Sequence, residues 1–115
     1  MIDPYFCKLY IDTDELRDDL QRSMDYMVKK FCQGIPVEAP VLKNEDFDAS
    51  FKSKVPYRFI ECSRYYAEVG TIDDEPRYIA GFQAGMAALV KALRQGNRTV
   101  TVACDFEDMI EGEAE

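Results

Sequence analysis

The amino-acid sequence predicts an α+β fold in a single domain, and three observations lead to this prediction. The first segment alternates apolar and polar residues with the period of two that a half-buried strand requires. Two later segments repeat apolar residues every three or four positions, which is typical of helices that bury one side. The last regular segment alternates with a period of two again, so the chain is expected to begin and end on strands.

The first strand is predicted over residues 5–11, where Lys8 and Tyr10 would lie on one face. The alternate positions are apolar and are expected to face the core, and these are Cys7, Leu9 and Ile11.

The first helix is predicted to begin at Asp12 or Thr13. If Asp12 is the N-cap, Glu15 follows three residues later, as in a capping box. The apolar residues recur with helical spacing at Leu16, Leu20, Met24, Met27, Val28 and Phe31. Gly34 and Pro36 are expected to end the helix.

The middle of the chain has a less regular pattern. Residues 35–55 are predicted to form a loop and one short edge strand, and residues 57–69 a further strand. A β-bulge at residues 61–63 would allow apolar side chains on both sides of it to face the core, namely Ile60, Cys62, Tyr65, Ala67 and Val69.

The second helix is predicted to start at the acidic residues 73–75 and Pro76, and to stop at Gly96 and Asn97. Its apolar stripe consists of Ile79, Phe82, Met86, Leu89 and Leu93. Small residues accompany the stripe and indicate close packing against a neighbouring element, and these are Gly81, Ala84, Gly85, Ala88 and Ala92.

The last strand is predicted over residues 98–106, with Val100, Val102, Cys104 and Phe106 facing the core. This order of elements is that of a ferredoxin-like split βαβ sandwich (βαββαβ), a four-stranded antiparallel sheet with two helices on one face. We expect the first and third strands to be central and parallel, and the last strand to lie beside the first. The domain is predicted to span residues 1–108, with an acidic C-terminal tail over 109–115.

Charge and composition limit the classes of function. The chain has 115 residues and a formal net charge of −8, yet residues 1–98 hold 14 bases and 16 acids, so the excess lies near the C-terminus. Phosphate recognition requires clusters of Lys and Arg, so neither a nucleic-acid partner nor a membrane partner is expected. We expect a cytoplasmic protein, because no apolar run is long enough to span a membrane and the start of the chain does not resemble a signal peptide. The four separated cysteines are expected to be reduced thiols.

The sequence gives little indication of an enzyme, because the chain contains no histidine, no phosphate-binding glycine loop and no CxxC motif. Residues 61–68 offer the best set of reactive groups, with Cys62 as the potential nucleophile and Arg64 as the group that would lower its pKa. A sheet strand with packed Tyr and Arg side chains explains the same composition. We therefore predict no enzyme, no catalytic residue, no cofactor and no bound metal.

The last twelve residues contain six acids and no base. Three interpretations remain open, which are a solvated terminus, a cation site and a surface that recognises a basic protein. The third has a physical argument, since apolar side chains interrupt the acids, and the partner-binding residues it predicts are Asp105, Phe106, Glu107, Asp108, Met109, Ile110 and Glu111. Asp105 and Glu107 are also candidates for an exposed edge strand.

In this profile the chain looks like the immunity proteins that neutralise bacterial toxins, because it is short, acidic, expected to be cytoplasmic and free of catalytic motifs. The resemblance implies a basic toxin or effector domain as the partner. The alternative is a dimeric, ferredoxin-like enzyme or small-ligand-binding domain that uses the helix-free face of the sheet, on which Phe6, Tyr10 and either Tyr57 or Tyr66 are expected. A structural or adaptor domain is a third possibility.

Overall fold

The computed structural model describes residues 3–47 and 63–113. The predicted α+β class is confirmed, since these ranges form a five-stranded antiparallel sheet and three α-helices. In chain order the elements are β1 (Phe6–Asp12), α1 (Arg17–Phe31), β2 (Val37–Glu38), β3 (Val41–Lys43), β4 (Tyr65–Thr71), a 3₁₀ turn (Pro76–Tyr78), α2 (Ile79–Gln95), β5 (Thr99–Ala103) and α3 (Glu107–Glu113).

Strand β1 lies in the middle of the sheet and pairs antiparallel with both β4 and β5, so that Lys8 is opposite Glu68 on one side and Ala103 on the other. The first and third predicted strands are therefore central, as expected, but the prediction that they are parallel is wrong. The crossover through α1 leads first to the outer edge of β4, where β2 and β3 run antiparallel to β4. The chain then reverses to form β4, which leaves β4 antiparallel to β1.

The predicted single edge strand is divided into two short strands. Both β2 and β3 pair with β4, and Ala39 and Pro40 separate them. Proline has no backbone N–H to donate to a ladder, so an interruption at an edge is the position where a sheet tolerates it. The Pro40 carbonyl still accepts a hydrogen bond from the backbone N–H of Glu68, at 3.2 Å.

The core lies between the sheet and the helices. The inward positions predicted for β1 and for the described part of the third strand are all buried, which confirms the alternation assigned to both. The three helices form the other side of the core, and their fully buried side chains are Leu20, Met24, Phe82, Met86, Leu89, Val90, Leu93 and Ile110. The bulge predicted at residues 61–63, together with Tyr57, Ile60 and Cys62, falls almost entirely outside the described residues.

Helix α1 begins later than predicted. Its N-cap position is Leu16, which is 72% exposed and makes no side-chain capping bond. The predicted capping box is absent because Asp12 is the last residue of β1 and the helix begins only at Arg17. The Glu15 carboxylate is bound by Arg98, and the Glu15 backbone N–H donates to the Thr13 hydroxyl at 3.3 Å. Leu16 thus does not belong to the buried stripe of the helix.

The close approach predicted for α2 occurs at Gly85. A Cβ atom at this position would lie 2.6 Å from Cys32 Sγ and 2.8 Å from the carbonyl oxygen of Phe31, at the end of α1. The turn after α2 contains Asn97 at a φ of 61°, so asparagine supplies the left-handed conformation at the predicted stop.

The chain differs most from prediction after β5, which ends at Ala103. The edge strand considered for Asp105 and Glu107 is wrong, because Glu107 begins helix α3, which packs against α2. The domain boundary predicted after residue 108 falls inside this helix. No helix within the described ranges combines the length and the apolar character needed to cross a membrane.

Candidate functional site

Four residues at the start of α3 form what we call the C-terminal acidic surface: Asp105, Glu107, Asp108 and Met109. All four are exposed, and Met109 has 38% of its surface accessible. Two carboxylates in the first turn of a helix are favourable, because they face the positive end of the helix dipole. The surface thus combines three negative charges with one apolar side chain.

Phe106 and Ile110 are predicted as partner-binding residues, but both are buried in the protein's own core, at 7% and 1% exposure. The inward orientation also expected of Phe106 is confirmed, although β5 ends before it. The Phe106 ring packs against Phe82 of α2. These two side chains are one helical turn apart, so together they fix one side of α3 to the body of the protein. Glu111 lies in the same helix, and its side chain is outside the described atoms.

The acids of this surface have no basic neighbour in the part of the chain that the structure describes. Among the described residues, no Lys or Arg forms an ion pair with Asp105, Glu107 or Asp108. The Asp105 carboxylate accepts a hydrogen bond from the backbone N–H of Asp3, at 2.6 Å, which brings a fourth acidic residue beside it. The resulting negative potential is available to an approaching cationic group.

Two thiols lie beneath this surface. The Cys7 thiol donates to Cys104 Sγ, and the two sulfur atoms are 2.9 Å apart. This hydrogen bond lowers the pKa of the Cys104 thiol and, together with burial, raises the pKa of the Cys7 thiol. The sequence contained a signal for this pair, since both cysteines were assigned inward positions on strands expected to be neighbours.

The second notable feature lies on the helix-free face of the sheet. Tyr10 and Tyr66 are directly opposite each other on β1 and β4, with ring centroids 6.2 Å apart. Lys8 Nζ lies 5.0 Å from the Tyr10 centroid and 4.6 Å from the Tyr66 centroid, so one ammonium contacts both rings. The polar interaction with Tyr10 is the main cause that raises the pKa of Lys8 above its ordinary value of 10.5.

These side chains form one wall of an open pocket of about 520 Å³. Its lining residues are Lys8, Tyr10, Leu42, Lys43, Asn44, Glu45, Asp46 and Tyr66. Tyr10 is only 8% exposed, so the aromatic side chain expected to need a second subunit is already covered within the chain. Leu42 of the edge strand remains partly exposed at the rim.

The segment singled out for possible catalysis is only partly described, and Glu61 and Cys62 lie outside that part. The Arg64 guanidinium forms an ion pair with Asp14, at 3.3 Å. The backbone N–H of Arg64 donates a hydrogen bond to the Asp12 carboxylate. The interpretation as a packed sheet strand accounts for these contacts. Within the part of the chain that the structure describes, no cluster of three Cys, Asp or Glu side chains could hold a metal ion.

No protein-family model, curated protein or solved structure matches this chain.

Proposed function

We propose that this chain is a small, non-catalytic binding module that neutralises a basic protein, an inhibitor of the immunity-protein type. The observation that carries the proposal is the burial of Phe106 and Ile110, which holds the acidic segment on a folded surface. Carboxylates on a fixed helix need not be ordered when a partner binds, so less entropy is lost on association.

The arrangement suits recognition of a cationic surface. The exposed carboxylates at positions 105, 107 and 108 can meet Lys and Arg side chains, and the exposed Met109 can pack among them. An acidic inhibitor of this kind can cover the cleft of an enzyme that normally binds phosphates. Because the attraction between exposed charges is screened by salt, we expect the association rate to fall steeply as ionic strength rises.

The test compares two double variants with equal loss of charge. Glu107→Gln/Asp108→Asn neutralises the proposed surface, whereas Asp73→Asn/Asp74→Asn removes two exposed acids before α2. Asp105 is left intact because it bonds to Asp3. Each tagged protein is used for affinity purification from the native host at low and high salt, and the association rate is then measured with the purified partner.

The proposal requires a basic partner whose association rate falls at least several-fold with the first variant and stays near the wild-type rate with the second. Equal rates for both variants, or a partner without net positive charge, would refute it.

We also propose that the topology is ferredoxin-like. If β2 and β3 count as one strand interrupted at Ala39 and Pro40, the spatial order is second, third, first and fourth strand, which supports this assignment. Helix α3 is then an addition after the last strand.

A second candidate function uses the tyrosine pocket as a small-ligand site, in keeping with the alternative of a dimeric ligand-binding or enzymatic domain. The specific observation is the ammonium of Lys8 beside two tyrosine rings, in a pocket that Lys43, Glu45 and Asp46 also line. Aromatic surface beside charges of both signs suits a small polar ligand. Native mass spectrometry tests whether the purified protein retains a small molecule, and sedimentation velocity tests whether it is a dimer. A monomer that retains no small molecule would count against both the ligand site and the dimer.

A further inference from the structure

Cys7 and Cys104 face each other across the junction of the first and last strands. In the antiparallel ladder of β1 and β5, the last paired residues are Lys8 and Ala103, and the two cysteines come one step further along. Residues directly opposite each other in such a ladder have Cα atoms about 4.5 to 5.5 Å apart, which lies within the range that a disulfide bridges. The sulfur atoms are already 2.9 Å apart.

We propose that Cys7 and Cys104 form a reversible intramolecular disulfide, with Cys104 as the thiol that reacts first and a low-molecular-weight disulfide as the oxidant. The proposal is independent of the proposed function, because it requires only the two thiols and their geometry.

The two cysteines differ in solvent exposure and in pKa, and such a reaction requires one accessible thiol that ionises readily. Cys104 is partly exposed, whereas Cys7 is completely buried. The hydrogen bond from Cys7 and that from the backbone N–H of Phe106 lower the pKa of Cys104, although partial burial and the carboxylates of Glu107 and Asp105 act in the opposite direction. A small disulfide can therefore reach the thiol that more readily becomes a thiolate, and Cys7 is in place to resolve the adduct.

The reaction has two exchange steps. The Cys104 thiolate attacks one sulfur of the small disulfide, which forms a mixed disulfide and releases the first small thiolate. Cys7 then loses its proton, and its sulfur attacks Cys104 Sγ and displaces the second small thiolate. The two protein thiols have been oxidised by two electrons, and the small disulfide has been reduced to two thiols.

The sequence allows a direct test because every cysteine falls in its own tryptic peptide. Cleavage after Lys and Arg places Cys7 in residues 1–8, Cys32 in 31–43, Cys62 in 59–64 and Cys104 in 99–115. The reduced full-length protein is incubated under native conditions with oxidised glutathione. Free thiols are then blocked, and the protein is digested and analysed by mass spectrometry without reductant.

We expect peptide 1–8 to be joined to peptide 99–115, and the link to disappear after treatment with excess dithiol. Cys104→Ser should abolish the link, Cys7→Ala should leave glutathione on Cys104, and the buried Cys32→Ala control should behave as the wild type. A stable glutathione adduct on wild-type Cys104, a link from Cys104 to peptide 59–64, or an unreacted Cys104 would each overturn the proposal.

Discussion

The Phe106 ring packs edge to face against the Phe82 ring, with their centroids 6.0 Å apart and their planes at 73°. This contact joins the residue that precedes α3 to the first turn of α2. It turns an acidic segment, which would be solvated on its own, into part of the folded domain. The position of the three carboxylates at 105, 107 and 108 thus depends on an apolar contact that carries no charge.

Replacing the buried side chains at this junction should destabilise the whole protein. We expect Phe106→Ala to lower the free energy of unfolding by about 3 kcal/mol and Ile110→Ala by at least about 2 kcal/mol, because each leaves a cavity in a packed core. Met109→Ala, at the exposed position between them, should change it by less than about 0.5 kcal/mol. Urea denaturation measures all three, and equal effects at positions 106 and 109 would contradict the docking of α3.

The ion pair between Glu15 and Arg98 connects residues 83 positions apart. The guanidinium donates from Nε to Oε1 at 2.6 Å and from Nη2 to Oε2 at 3.0 Å, a bidentate arrangement that lysine cannot reproduce. We expect Arg98→Lys and Glu15→Gln each to lower the free energy of unfolding by about 1 to 2 kcal/mol. In a double-mutant cycle the two losses should not add, and strict additivity would mean that the pair is not coupled.

The same pair predicts how stability changes in acid. The hydrogen bond from Arg98 holds the pKa of Glu15 below its ordinary value of 4.5. A lowered pKa in the folded state contributes stability at pH values above 4.5, and this contribution is lost as the pH falls through that value towards the folded pKa. The difference in unfolding free energy between the wild type and Glu15→Gln should therefore shrink below pH 4.5. A difference that stays constant from pH 6 to pH 3 would contradict this mechanism.

Patterns within one element could be predicted from the sequence. The alternation of Cys7, Leu9 and Ile11 and the helical repeat from Phe82 to Leu93 are local consequences of backbone geometry, and both bury the expected side chains. The start of α1 could not be predicted this way. The Glu15 carboxylate binds Arg98, which is 83 positions away in the sequence, so no local pattern indicates this contact.

The C-terminal acidic surface can be predicted in part from the sequence. Its acids are evident from composition, and Phe106 is expected to face the core, but the sequence also suggests Phe106 and Ile110 as contacts for a partner, whereas both are buried. Phe106 and Ile110 are four positions apart, a spacing that indicates one buried helix face, yet the surrounding acids suggested a tail. Only the position of Phe82 shows that the core extends this far. The cluster of Lys8, Tyr10 and Tyr66 likewise depends on the antiparallel register of β1 and β4, which the sequence does not specify.

Because α1 packs closely against α2, we expect substitutions of two glycines of α2, Gly81 and Gly85, to have opposite effects on the free energy of unfolding. In an exposed helix, replacing Gly by Ala stabilises by about 1 kcal/mol. At Gly85, however, the new methyl group would be 2.6 Å from Cys32 Sγ and 2.8 Å from a backbone carbonyl, which can move only if the two helices separate. At Gly81 it would meet only the end of the Ile35 side chain, at 2.8 Å, and this side chain can rotate away.

Gly85→Ala should therefore lower the free energy of unfolding by about 1 to 3 kcal/mol, as overpacking of a core does. Gly81→Ala should leave it unchanged or raise it, and serves as the matched control for helix propensity. The two variants are compared by thermal and urea denaturation under one set of conditions. If both stabilise the protein equally, α1 and α2 do not approach each other at Gly85 as closely as described.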